Sequence, residues 1–520
     1  MQTSTLREVN QFLSQMQQEK AQGKGIVMFH ICSVGQIQFM LPIYKELRSR
    51  QASVAFYLAC DYPMSEKFDL MGIPPTHRVT TEVAKQLDLT DVVLQAEIHG
   101  RGPQKAARVF VGHGQPNKHT NWSEENLRSF DHYFLYGELE RSMFEVIMRS
   151  RPESTRHIKL YNVGYPKLDD QIQGKYDREA VLRDLRLDPN LKTVIYAPAW
   201  DPGGSLRTLG TTVVEELLTL PGLNVIAKLH PASLEPEGSP YHTFYTGGVN
   251  WAREFQALES NPRFRYVNDY LVNPLLIASD LMVTDFSGVA LEFMVQDRPV
   301  IHIDSPEFYE KTLREWGNDP DVSKNDERFN AGRNTGLLIK NLSELSGAVQ
   351  RSLSFPGEFS EKRRALVAKF LYNPGRASCV AADTVLTLVQ QQQRDPIQPL
   401  TAATTSVKSP PVLLEEAVRL MEAGRHASAL SKLNAAAKQS TQLAELHLRR
   451  AQCLAALNHS REAVEAAVSE LLVNSGSSAA VQILVKYQNE LLESLKTAAP
   501  AVIETINRVL REYAGRVTSK

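Results

Sequence analysis

Between positions 25 and 303, short runs of β-branched and apolar residues alternate with stretches whose apolar positions recur at helical spacing. That alternation is what a parallel sheet covered by helices requires, because its strands are buried on both faces. GIVMFHI (25–31) reads as a strand, 33–36 as a turn and 39–50 as a helix, which makes one β-α unit. Residues 54–58, 92–95 and 108–111 read as further strands of the same half. A second series opens after Asp188: strand 193–197, helix 211–220, strand 223–229, strand 264–267, helix 273–278, strand 281–284, helix 287–296 and strand 300–303. Two doubly wound α/β domains in tandem account for the order.

The pattern then breaks. QQQQRDPIQPLTAATTSVKSPP (390–411) has few residues able to build a core and reads as a linker. From 412 to 520 the chain is rich in Ala, Leu, Glu and Arg with almost no Pro, as an all-α array would be. A short segment ending at Ala429 recurs thirty-four positions on, ending at Ala463, which is the period of tetratricopeptide helix pairs. The large aromatic signature residues of that repeat are missing, so a plain helical bundle is the other reading. At the other end, residues 1–24 form a polar, Gln-rich extension without the apolar stretch of an export signal.

Charge and cysteine usage narrow the functions. Lys plus Arg number 58 and Asp plus Glu 59, a net charge of −1, so no global positive field exists to hold a nucleic acid. Cys32, Cys60, Cys379 and Cys453 lie far apart with no C-x-x-C pair, which gives no support for a zinc site or a disulfide framework. A reducing, cytoplasmic location is the default. The most apolar stretch, 271–303, is interrupted by Asp280, Asp285, Glu292 and Asp297, so any membrane contact is expected to be peripheral.

Ligands of open α/β sheets bind beyond the carboxyl ends of the strands, where loops converge and helix N-termini point inward. Three polar clusters pass that filter: His113-Gly-Gln-Pro-Asn-Lys118 after RVFV, His230-Pro231 after NVIAKL, and Asp285-Phe-Ser-Gly288 after LMVT. Ser287 and Gly288 fall where a helix opens, which offers a cradle for an anion or else an ordinary cap. Glu292, further along that helix, either accepts ribose hydroxyls or faces solvent. Gly112 and Gly114 let the backbone approach a ligand, Pro116 stiffens the turn and Lys118 supplies a cation. His113 is the first choice for a general base near neutral pH. His230, after Lys228, either hydrogen-bonds a transferring phosphate, shares the base role, or is a structural group at a turn.

The strings VGHGQPNKH (111–119), NVGYPKLD (162–169), IYAPAWD (195–201), KLHP (228–231), SDLMVTDFSGVALEF (279–293) and NPGRAS (373–378) occur in the order of the CDP-glycerol glycerophosphotransferase family, which the chain resembles from about 25 to 388. The resemblance implies a GT-B-like fold: a Rossmann-like acceptor domain at 25–175 faces a nucleotide-donor domain at 176–389 across a cleft. It implies catalytic roles for His113 and His230. It also implies contacts to the donor or its phosphates from Gly114, Lys118, Lys228, Asp285, Ser287, Gly288, Glu292, Arg376 and Ser378. The chain departs from the family pattern at Gln115 (usually Thr), Gly288 (Ser), Glu292 (Asp), Pro374 (acidic) and Val380 (Arg), which bears on donor identity more than on fold.

The reaction implied is attack of an acceptor hydroxyl on the β-phosphorus of a CDP-linked alditol, leaving a phosphodiester in a teichoic acid or capsule polymer precursor and releasing CMP. No redox cofactor and no essential metal are expected. The acceptor is a polymer or is lipid-linked, which implies work at the inner face of the cytoplasmic membrane, with the helical tail available to a protein partner. The rival readings are a GT-B glycosyltransferase using a nucleotide sugar, and a degenerate scaffold acting through the tail. An epimerase of the same shape would want a catalytic acid pair, and no convincing pair is present.

Overall fold

A computed structural model describes residues 2–50, 53–60, 69–98, 100, 102–114, 123–313, 325–394, 410–422, 424–439, 445–457, 460–473 and 477–487. The first sheet has the strand order β3-β2-β1-β4-β5-β6-β7 and every pairing is parallel. Its strands are β1 (Gly25–His30), β2 (Val54–Ala59), β3 (Arg78–Val79), β4 (Val92–Gln95), β5 (Ala107–Phe110), β6 (His132–Leu135) and β7 (Lys159–Asn162). The second sheet repeats the scheme as β10-β9-β8-β11-β12-β13, again all parallel. It consists of β8 (Lys192–Tyr196), β9 (Leu223–Ala227), β10 (Phe264–Tyr266), β11 (Leu281–Thr284), β12 (Val300–Ile303) and β13 (Leu337–Ile339). Both sheets therefore reverse their winding once, between β1 and β4 and between β8 and β11. At such a switch point the flanking loops part and leave room for a ligand.

The two lobes share a core. Phe39 on helix α1 (Ile37–Ser49), with Tyr136, Tyr165 and Leu168, packs against Ile195, Met282, Leu291 and Phe293 of the second lobe. The chain also returns to its starting point. Helix α2 (Ala377–Arg394) lays Ala381, Ala382, Val385, Leu388 and Val389 against Val27, Phe29, Leu94 and Val109 of the first sheet. The fit is close enough that a Cβ on Gly25 would stand 2.3 Å from Val389. Apolar burial therefore continues through Val389, and α2 runs five residues into the stretch expected to be linker. The extension at the N-terminus is a helix, Gln2–Ala21, whose Val9 and Met16 cover Ile26, Met28 and Tyr57 on the opposite face of the same sheet. Together the lobes make a GT-B-like body.

The remaining described residues belong to a separate, all-helical unit. Its helices are Pro410–Glu422, His426–Gln439, Leu446–Ala456, Ser460–Val473 and Ser478–Lys486. Small side chains let neighbouring helices approach: Ala417, Ala429 and Ala436 pack with Leu413, Leu433 and Leu446, and Ala451, Ala463 and Ala467 pack with Leu454 and Leu471. Among the described residues no helix is long and apolar enough to cross a membrane.

Candidate active site

The candidate residues form two groups, on the loops beyond β4 and β5 in the first lobe and on those beyond β8, β9 and β11 in the second. In the first lobe β5 leads through Val111 into Gly112, His113 and Gly114, and both glycines hold the positive φ that other residues resist (+74° and +139°). His113 is exposed, and its Nδ1 lies 2.5 Å from the carbonyl of Ala96 at the end of β4. A carbonyl oxygen only accepts, so Nδ1 carries the proton and Nε2 keeps the lone pair. That is the tautomer a general base needs. Lys118, in the same motif, lies outside the described residues.

His230, beyond β9, is in the complementary state. The backbone N–H of Ala232 donates to its Nδ1 at 3.1 Å, so Nδ1 holds the lone pair and the neutral ring carries its proton on Nε2. It is exposed and stands beside Trp200, with ring centroids 6.3 Å apart. Trp200 continues into Phe244 and Tyr245 at 6.0 and 5.1 Å, an aromatic wall that the sequence reading did not single out. Lys228 is buried, donates to the Leu229 carbonyl, and has its pKa lowered to about 8, chiefly by loss of solvent. An anion beside it would favour the charged form again.

Asp285 differs from expectation. It is buried, and its two oxygens accept from Phe286 N (2.7 Å), Ser205 N (2.8 Å), Ser205 Oγ (2.8 Å) and Ala199 N (2.9 Å). A carboxylate has about four lone-pair sites, and four donors fill them. Asp285 therefore clasps the loop after β8 to the end of β11 and has no acceptor left for a donor molecule or a metal. His302 on β12 supports the clasp by donating Nδ1–H to the Asp285 carbonyl at 2.9 Å, and burial pushes its pKa down to about 4. Ser287 and Gly288 are half-buried and precede helix α3 (Val289–Met294), whose first intrahelical donors are Ala290 and Leu291. Their own N–H groups thus lie outside the helix ladder, where an anion can meet them.

Glu292 does not face solvent, one of the two settings expected for it. It is buried between the lobes, where Tyr165 donates to Oε1 at 2.9 Å and the Lys167 ammonium to Oε2 at 2.6 Å. Gln171 donates to its carbonyl, and Asn273 donates in turn to the Gln171 side chain. Ser378 is engaged through its backbone. Its backbone N–H and that of Ala377 are held by the Asp169 carboxylate at 2.6 and 3.0 Å, so the start of α2 is capped from within. Arg376, just ahead, is exposed. The sequence reading also missed Tyr136 and Glu140. Both are apolar-pattern or helix-face positions whose polar ends become meaningful only once β6 is placed beside β5.

Glu140 provides a test of this part of the fold. It is buried under the chain at Tyr136, whose N–H it accepts at 2.6 Å, and burial pushes its pKa from an ordinary 4.5 up to about 8. A carboxyl with a raised folded-state pKa stabilises the fold fully below its unfolded value, and that contribution fades as pH climbs toward the folded value. Glu140→Gln is therefore expected to melt increasingly above wild type from about pH 5 to about pH 8, with a constant gap beyond. Melting curves across that range check it, and a pH-independent difference would refute the assignment.

The family model described as CDP-glycerol:poly(glycerophosphate) glycerophosphotransferase matches residues 99–385. Among solved structures, the chain is similar to a variant of the wall teichoic acid polymerase TagF soaked with CDPG. That match has 14% identity and a TM-score of 0.52, over 71% of this chain and 90% of that one. A second TagF variant aligns at 14% identity and TM-score 0.51, over 75% of this chain and 97% of that chain. No curated protein matches.

Proposed function

Because the chain belongs to the CDP-glycerol:poly(glycerophosphate) glycerophosphotransferase family, we propose that it moves glycerol phosphate from CDP-glycerol to a hydroxyl of a polymer or lipid-linked acceptor and releases CMP. The observation that carries the reading is the pair of opposite imidazole tautomers, a lone pair at His113 Nε2 and a proton at His230 Nε2. The acceptor hydroxyl gives its proton to His113 as its oxygen bonds to the glycerol-bearing phosphorus. The bond from that phosphorus to the bridging oxygen breaks, and the electron pair leaves with CMP. Charge builds on the phosphoryl and leaving oxygens, where the His230 N–H, Lys228 and the amides of Ser287 and Gly288 are the proposed donors. Asp285, Glu292 and Asp169 serve by holding those groups in place. The aromatic wall from Trp200 to Tyr245 is proposed to take the face of the pyrimidine, since bases stack on such rings without needing a hydrogen-bond code.

The reading predicts CMP release from CDP-glycerol in the presence of a glycerol-phosphate oligomer, with no nucleotide released from UDP-sugars under the same conditions. UDP release from a nucleotide sugar would replace it with the glycosyltransferase reading. The filled carboxylates at Asp285 and Glu292 favour a degenerate scaffold as the second reading, and an absence of CDP binding by calorimetry would select it. The helical unit, whose second helices open at His426 and Ser460, is proposed as a tetratricopeptide-like docking surface for a protein partner. That partner would bring the enzyme to a membrane-bound acceptor.

A further inference from the structure

We propose that Tyr136 is the positioning residue of the base, acting by stapling the Gly112–Gly114 turn from beneath. This rests on the reading of His113 given above. Tyr136 follows β6 directly and is 1% exposed. Its hydroxyl donates to the Val111 carbonyl at 2.9 Å, on the near side of the turn, and the Gly114 N–H on the far side lends the phenolic oxygen electrostatic support. One phenolic oxygen thus pins the near end of a three-residue loop with His113 at its tip. The fit explains Gly112 independently of its φ, because a Cβ there would stand 2.5 Å from the Tyr136 oxygen. Burial holds the phenol well above its ordinary pKa, so it stays protonated and remains a donor throughout the working pH range.

Tyr136 is itself fixed from several sides. Its N–H is held by Glu140 at 2.6 Å, and its carbonyl accepts the N–H of Tyr372 at 2.6 Å. Its ring stacks on Tyr165 with centroids 4.1 Å apart and planes 16° from parallel. Tyr165 donates to Glu292 on helix α3 of the other lobe. The turn bearing the base is therefore referenced to the helix behind Ser287 and Gly288 through two stacked rings. The Ala96 carbonyl sets the rotation and tautomer of the imidazole, and Tyr136 sets where the imidazole begins.

Tyr136→Phe keeps the ring, the stack and the backbone bonds, and removes only the hydroxyl with its bond to Val111. The expected result is a kcat for CMP release from CDP-glycerol lower by about ten- to a hundred-fold, as displacements near 1 Å produce. CDP affinity by calorimetry is expected to stay within about two-fold of wild type, because the donor loops are untouched. The ¹⁵N imidazole signals of His113, assigned by comparison with His113→Ala, should show one tautomer in the wild type and a mixture in the Phe variant. If His113→Ala is inactive while Tyr136→Phe keeps wild-type kcat and a single tautomer, the positioning role is wrong and the proposed function stands. Parallel losses in kcat and CDP affinity would show general disruption and would also overturn it. Full activity of His113→Ala would remove the base assignment first, and this inference with it. Should Tyr136→Phe not fold, the tautomer of His113 in the wild-type protein decides: a mixture there means the turn is not held as described.

Discussion

Replacing His113 by Ala is expected to lower CMP release from CDP-glycerol by about 10²–10⁴-fold, the usual worth of a positioned general base. CDP binding and thermal stability should remain at wild-type levels. Each part of that expectation has a separate physical source. The side chain is exposed, so its removal opens no core cavity and leaves no buried donor or acceptor apart from the Ala96 carbonyl. It belongs to the first lobe, while the groups proposed to meet the nucleotide lie in the second, so donor affinity is expected to be independent of it. What is lost is the acceptor of one proton at the moment the hydroxyl attacks. His230→Ala should behave differently, raising KM for the donor as well as lowering kcat, since its N–H is proposed to meet a phosphate in both ground and transition states. Near-normal CMP release by the His113 variant would remove the residue from the chemistry.

The two doubly wound domains were legible because their central strands are buried on both faces and therefore read as continuous apolar runs, as in GIVMFHI and LMVT. Four strands, β3, β6, β7 and β13, escaped notice, and β13 did so although apolar because it is a three-residue, half-buried edge strand. β7 reads KLYN and lies at the sheet edge with its ends exposed, while β3 has only two residues. β6 reads HYFL, and its polar His132 is buried with its pKa lowered to about 4, a placement that alternation along the chain does not announce. The candidate site was legible in position and less so in role. Strand ends and glycines marked the loops carrying His113, His230 and Asp285. Whether a carboxylate faces a ligand or is saturated by its neighbours depends on donors far away in sequence, such as Ala199 and Ser205 for Asp285 and Lys167 for Glu292. Those pairings are a consequence of topology. The same holds for Tyr136, which meets Gly112 only because β6 lies beside β5.

Glu292→Ala is expected to cost about 3–5 kcal/mol in stability of the two-lobed body, the loss found when one member of a buried ion pair is deleted. Lys167 and Glu292 retain side-chain exposures of only 5% and 6%, and they meet at 2.6 Å. Deleting the carboxylate strands a buried ammonium and removes the acceptor of the Tyr165 hydroxyl, and neither group has water to turn to. Much of the cost should therefore belong to the orphaned partner. Lys167→Met combined with Glu292→Leu removes both charges while keeping apolar bulk and is expected to recover most of the loss, as apolar replacements of buried pairs commonly do. Denaturant titration of the wild type, Lys167→Met, Glu292→Leu and the double variant closes the cycle and gives the coupling directly. The recovered double variant should still turn over more slowly, because Glu292 also receives the Tyr165 hydroxyl beneath the ring that supports Tyr136. A Glu292→Ala protein within about 0.5 kcal/mol of wild type would mean that the pair does not join the lobes, and the route from the donor helix to the His113 turn would then have no physical basis.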